Sequence, residues 1–410
     1  MCGTDGVSGI DAGRYPMTSR RPHPPGVATI ARMRDASTLP LRLARLRSQR
    51  LTDDSRLGAD PAAVTRAVCA VQGQDFDAAR HQLRARSVGL TAAAIDKAFD
   101  HERSIVKTWL MRGTLHLCAA DDVRWLLDVF GPVVNRLGAR QWATLGMDDA
   151  ARERAVAVLH TVLAGGPVSR RELRRELVRR GVLREPVGQA LIYLLFHAAT
   201  LGIICSGPRI GRADSFVLLD DWVPRSDGPR GGAALAELAR RYLAAYGPAT
   251  EGDLAAWGGL PVGVARAAMA SIRKEIAEFP GPVPGHWMLR SALQGEVPRR
   301  PVVRLLGHFD TFLLGYRRRH HLGDEKAEDW IHHGGGGWIR PVVCVDGWIV
   351  GGWRLRHTPQ EAEMTVLPFE RLSGRVEAGI SREVAAIGRF LERPTRWSSG
   401  PLVGLEPLPT

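Results

Sequence analysis

The chain is nearly without lysine: only four of its 56 basic residues are lysines, the other 52 being arginine. Cysteine is sparse too. Cys2, Cys69, Cys118, Cys205 and Cys344 are odd in number, scattered, and never spaced C-x-x-C. That pattern excludes a disulfide framework, a zinc ribbon and an iron–sulfur centre. Cys69 and Cys118 fall in apolar runs and read as small core residues. No apolar run approaches ~18 residues and the N-terminus lacks a signal-peptide core, so no membrane partner is expected and the chain reads as cytoplasmic. A Walker lysine motif is missing, and the glycine run at 334–337 lacks the strand–loop–helix context of a nucleotide site. His320-His321 and His332-His333 resemble metal ligands only superficially. Neighbours in a strand point to opposite faces, and no Cys or acidic cluster completes a sphere, so neither metal nor cofactor is expected.

What is present is a 410-residue chain, 45% hydrophobic, with a formal charge of +13. The length implies two to four domains and the apolar content a globular fold. A basic chain suits a polyanion, and arginine suits bidentate phosphate contacts. A GC-rich genome writes the same arginine bias into any protein, so charge alone argues weakly for DNA.

Residues 1–37 are rich in Gly, Pro, Arg and Ser without periodicity and read as a disordered tail, with Met17 and Met33 as alternative starts. Residues 38–148 read as a first winged helix. Residues 41–51 form a basic helix with Leu43, Leu46 and Leu51 inward, and Asp60 caps a helix over 62–71 that stops at Gly73. Thr91 caps a third helix to Phe99, and 104–118 fold as a hairpin around Arg112-Gly113. Residues 149–225 repeat the order: a helix at 151–164, a capping box from Ser169 to Glu172 opening 170–180, an apolar helix at 187–201 and a wing within 202–220. Residues 231–297 form a third unit, with helices at 233–246, 251–257 (capped by Thr250) and 261–279, then a short wing at 284–293. Residues 299–410 alternate β-branched and aromatic residues around turns such as Asp346-Gly347, with a closing helix at 382–392. The fold class expected is therefore α+β, mainly α: three tandem winged-helix units plus a C-terminal β-barrel-like domain.

Four segments in this order carry a resemblance: AVQGQD at 70–75, KTWLMRGTLH at 107–116, LGHFDTFLLGYRRRH at 306–320 and GGGGWIRPVVCVDGWIVGGWR at 334–354. Together they resemble the winged-helix DNA glycosylases of the AlkZ/AlkX type, over about residues 38–405. The resemblance implies that Gln72 and Gln74 are catalytic and that the chain falls in the branch with glutamine at both positions. That branch includes enzymes protecting producers of DNA-alkylating antibiotics. The family carries an aliphatic residue between its paired polar residues; here stands Gly73, so a looser local backbone is expected.

The chemistry open to two amides is narrow. An amide is neither acid nor base near pH 7, so it cannot protonate a leaving group. It can orient a water through its oxygen and bind a sugar or phosphate oxygen through its NH₂. That suffices when the departing base is already cationic, as an N7- or N3-alkylpurine is, and the remaining task is electrostatic. In a continuous helix the two amides would diverge; a helix ending at Gly73 lets them converge. Asp75 is the alternative water-activating base. Lys107, Arg112, His116 and the Arg317-Arg318-Arg319 strip are expected to contact the DNA backbone, with a pairing of Arg112 and His116 to Asp121 or Asp122 as the alternative. Asp310 and Tyr316 either support the site or tie the C-terminal domain to the rest. The partner expected is double-stranded DNA carrying alkylated purines, with no obligate protein partner. A non-catalytic winged-helix regulator is the competing class, and an inactive relative with amides misplaced by Gly73 a third.

Overall fold

The computed structural model describes residues 36–401, except 185–187, 212, 282, 293–297, 299 and 333–336. The expected tail, with Met17 and Met33, lies outside the described residues but for its last two positions, and so do Cys2, His333 and the glycines at 334–336. Helix α1 (Leu39–Ser48) is the basic helix, but it buries Arg42 and Arg45 beside Leu41 and Leu46. Helix α2 (Pro61–Ala67) is capped by the Asp60 carboxylate, which accepts from the Ala62 and Ala63 N–H groups. It ends at Ala67, not Val71. Cys69 turns left-handed (φ 67°) and the chain enters strand β1 (Val71–Gln72). Val64 stays in the helix and Val68 caps its end, but Val71, expected to close the helix, instead starts an edge strand, where β-branched side chains pack well.

Helix α3 (Phe76–Ala85), not expected from the sequence, follows at once with Asp75 as its N-cap. Thr91 caps α4 (Ala92–Asp100) as expected. Strands β2 (Ile105–Trp109) and β3 (Leu115–Ala119) form the expected hairpin, turning at Arg112 and Gly113, both left-handed. Helices α5 (Val123–Leu137), α6 (Ala139–Thr144) and α7 (Asp149–Leu163) come next. Strand β4 (Val168–Ser169) leads into α8 (Arg170–Arg179), whose Ser169–Glu172 capping box is formed on both sides. After α9 (Ala190–Thr200), strands β5 (Ile204–Ser206) and β6 (Ser215–Leu218) make the second hairpin. The two hairpins are not separate: Lys107 pairs with Ser206, giving one six-stranded sheet in the order β1-β3-β2-β5-β6-β4.

Helices α10 (Leu219–Trp222), α11 (Gly231–Tyr246) and α12 (Glu251–Gly258) follow, the last capped by Thr250 with Asp253 bonding back. Gly259 turns left-handed into α13 (Val262–Ser271). This helix stops well short of residue 279. The chain beyond it is strand β7 (Ile276–Glu278), which pairs with β8 (Trp287–Leu289), so the third hairpin begins earlier than expected. The largest core cluster runs from Cys69 through all three helix–hairpin stretches to Tyr316.

The C-terminal region holds β9 (Val303–Leu306), α14 (Thr311–Leu314), α15 (Glu325–His332), β10 (Val342–Val345), β11 (Trp348–His357), β12 (Ala362–Pro368), α16 (Gly374–Leu391) and β13 (Thr395–Ser399). The turn at Asp346-Gly347 joins β10 to β11 as expected. The barrel is a correction: the five strands form an open sheet, β13-β12-β11-β10-β9, with β13 parallel to β12. A parallel pair needs a crossover, and α16 supplies it. That helix lies where closure would have to occur, so tight against β9 that a Cβ on Gly379 would stand 2.4 Å from Val303. Helix at 49% against strand at 18% makes the chain mainly α. No helix among the described residues is long and apolar enough to cross a membrane.

Candidate active site

Gln72 closes β1 opposite His116 of β3, and His116 stands opposite Thr108 of β2. Directly opposed residues share a face of the sheet, so an amide, an imidazole and a hydroxyl form one row. All three are buried, and the Thr108 hydroxyl has no hydrogen-bond partner among the described residues. The ladder continues one residue past β1, with the Gly73 N–H donating to the Leu115 carbonyl at 2.8 Å. From α3, the Gln82 amide donates to the Gln72 carbonyl at 3.0 Å. The backbone carrying Gln72 is thus held from both sides, and the looser backbone expected of Gly73 is not found. Glycine here permits a close approach: a Cβ at residue 73 would lie 3.3 Å from the Leu117 backbone nitrogen.

Gln74 is half-buried and two residues further along. The chain has left the strand by then: Gln74 lies in a bend between β1 and α3, so strand alternation does not fix its side. The expected helix end at Gly73 is corrected: the motif spans a strand end and the approach to α3, with Gln72 in β1 and Gln74 beyond it. Asp75 then opens α3, one carboxylate oxygen accepting the Ala78 N–H at 3.0 Å. As alternative base it would act from that capped position.

His116 donates Nδ1–H to the Thr114 carbonyl at 2.9 Å. Burial, with the charge of Arg112 adding to it, pushes its pKa down to about 3, so it is neutral at pH 7. A neutral buried imidazole is no phosphate contact, which corrects that expectation. Lys107 is corrected likewise: it is buried, with Nζ 3.0 Å from Asp214. His116 makes no pair with Asp121 or Asp122, which meet Arg66, Arg241 and the Trp125 indole instead. Arg112 donates to the Trp257 carbonyl, and its turn packs against Gly259. Arg319 donates to the Leu313 carbonyl at 2.7 Å and meets His332 at 2.9 Å. Arg317 and Arg318 remain as exposed cations. On α8, Glu176 pairs with Arg179 and Arg180 and Glu172 with Arg175, while Arg171 stays exposed.

Asp310 and Tyr316 are placed as ties. Asp310 is fully buried, takes a bidentate pair from Arg86 at 2.7 and 3.0 Å, and caps α14. The buried Tyr316 ring lies 3.8 Å under the Arg45 guanidinium. A titratable group near Asp75 that the sequence reading did not single out is His308, within the 306–320 segment. Burial lowers its pKa and the nearby Asp75 carboxylate opposes that shift, while Nδ1–H donates to the Ile339 carbonyl at 3.1 Å. The LGHFD block carries this histidine two residues before Asp310. Among the described residues, no three His, Cys, Asp or Glu side chains are grouped as a metal site requires.

Comparison with known proteins agrees with this frame. The solved structure of the DNA glycosylase AlkZ of Streptomyces sahachiroi matches with a TM-score of 0.74 and 26% identity, over 88% of this chain and 100% of that one. An interstrand DNA cross-link repair glycosylase of Streptomyces sahachiroi is 25% identical over 341 residues, 78% of this chain and 88% of the relative. The family model of AlkZ-like DNA glycosylases matches residues 65–390, so the chain belongs to that family and is a hydrolase of N-glycosyl bonds.

Proposed function

We propose that this glycosylase releases cationic N7- or N3-alkylpurines from duplex DNA, including bulky adducts or interstrand cross-links, in repair or in self-resistance to a DNA-alkylating antibiotic. The observation that carries this reading is the neutrality of the row around Gln72: an amide, a hydroxyl and an imidazole held far below its ordinary pKa. Such groups supply no proton to a leaving base, so they suit a base that departs as a neutral molecule because it began as a cation. Gln72 and Gln74 orient the attacking water and the sugar by preformed dipoles. The Asp75 carboxylate at the head of α3 favours the positive charge that develops on the sugar. Arg317, Arg318 and Arg171, exposed and basic, hold phosphates, and the three helix–hairpin groupings serve as winged helices around the duplex. The name of the Streptomyces sahachiroi relative supports cross-links within the substrate class.

The test is incubation with duplexes carrying N7-methylguanine, a bulky N7 adduct, a cross-link, or uracil. Free base is expected from the first three and none from uracil. Gln72→Ala and Gln74→Ala should each lower the rate by about 10²-fold, the loss seen when one preorganised dipole is removed. Full activity in both variants would reject the assignment of these residues.

A further inference from the structure

A second basic site lies on other elements, in a pocket of about 270 Å³ between residues 53–56, β9 and α16. Arg56, Arg304, Arg382 and Arg389 line it against only Asp53 and Glu383. Both acids are shared. Asp53 meets Arg304 at 2.6 Å and Arg56 at 3.4 Å, and Glu383 is divided between Arg304 and Arg84. Arg304 is only 5% exposed, yet its Nε–H has no acceptor among the described residues, nor has that of Arg56. Burial, then the charge of Arg304, holds the pKa of Arg56 below its ordinary value, as crowded guanidinium groups should. The opposite wall is α16, where Arg382 and Arg389 stand two turns apart on one face, about 10 Å along the axis. Both are exposed, and neither side chain has a hydrogen bond or ion pair among the described residues. Ala385 and Ala386 lie between them and leave the floor open.

We propose that this pocket binds a phosphate group, with Arg382 and Arg389 closing on it and Arg304 and Arg56 behind. Four guanidinium groups facing two shared carboxylates leave positive charge that a tetrahedral dianion or a phosphodiester would neutralise, and arginine forks fit its oxygens. The phosphate comes either from the DNA backbone or from a free phosphoanion. The proposal stands apart from Gln72 and Gln74; base release by their variants tests that reading at a different site.

The test compares the full chain with the double variant Arg382→Gln, Arg389→Gln, two exposed changes whose folding is verified by thermal melting without ligand. Affinity for undamaged duplex is measured against salt, and the melting temperature with and without inorganic pyrophosphate at constant ionic strength. If the phosphate belongs to DNA, the log–log salt slope shrinks by about 0.9 for each contact removed. If the ligand is a free phosphoanion, pyrophosphate raises the melting temperature of the wild type but not of the variant, and the slopes coincide. Equal slopes together with an equal pyrophosphate response in both proteins would overturn the proposal.

Discussion

Gln72, His116 and Thr108 show how much a single strand register decides. The identity of the two glutamines was open to inspection in the sequence, and so was the chemistry that amides permit. Their geometry was not. The sequence offered a well-capped helix running on to a glycine, and only the pairing of Val71 and Gln72 with the distant Leu117 and His116 converts that run to strand. The same pairing buries His116 and makes it neutral. His81 and His116 have pKa values lowered to about 3 and His321 to about 2, with burial first in each case and nearby arginines adding to it. The linkage has a definite sign. Above the unfolded value of about 6.5 both states are neutral and pH has no effect through these groups. Below it the unfolded chain takes up protons that the fold refuses, so stability falls by about 1.4 kcal/mol per pH unit for each histidine. Between about pH 6.5 and 5 carboxylates contribute little, and the histidines dominate. Urea unfolding across that window should show a falling midpoint, with a shallower dependence in His116→Gln. A midpoint independent of pH, or one whose slope the variant leaves intact, would show that His116 is protonated within the fold.

Helix starts were read from their caps, and the caps are local. Asp60, Thr91, Ser169 and Thr250 each accept a backbone N–H at the helix the sequence assigned to them. Element ends and sheet closure depend on partners far along the chain, which is why α2, α13 and the C-terminal sheet departed from expectation. Helix α3 is hidden in the sequence because its cap, Asp75, stands where the motif also offers a water-activating base. The last turn of that helix and Arg86 just after it bind the C-terminal region. Arg84 reaches Glu383 and the Leu305 carbonyl, and Arg86 reaches Asp310, Gln49 and Thr311. Breaking one side of a buried pair leaves a bare charge, at a cost of roughly 3–5 kcal/mol. Arg86→Met and Asp310→Ala should each lose about that much in urea unfolding, while Tyr316→Phe, whose hydroxyl is 3.5 Å from the Gln49 amide, should cost less than about 1 kcal/mol. Base release per folded molecule should survive Asp310→Ala. Its abolition in protein shown to be folded would move Asp310 from brace to reaction.

For the molecule as a whole, a formal charge of +13 overstates what is offered to DNA. Arg42, Arg45, Arg84, Arg86, Arg304 and Arg340 are buried, and most of them join the N-terminal helices to the C-terminal region through backbone carbonyls as well as acids. Arginine serves there because one planar fork carries five donors and can satisfy several acceptors at once. Composition could not separate these internal braces from phosphate contacts, since both are written with the same residue. Salt dependence can separate them. Each phosphate neutralised by an exposed arginine contributes about 0.9 to the log–log slope of DNA affinity against salt. Arg171→Gln, Arg317→Gln and Arg318→Gln should therefore flatten that slope while leaving the urea midpoint within about 0.5 kcal/mol of wild type. Arg45→Met should do the reverse. It removes a guanidinium that bonds the Pro248 carbonyl at 2.9 Å and stacks on Tyr316, lowering stability without changing the slope of the molecules that remain folded. If Arg45→Met flattened the slope at unchanged stability, the buried arginines would be reaching DNA, and the division between brace and contact would have to be redrawn.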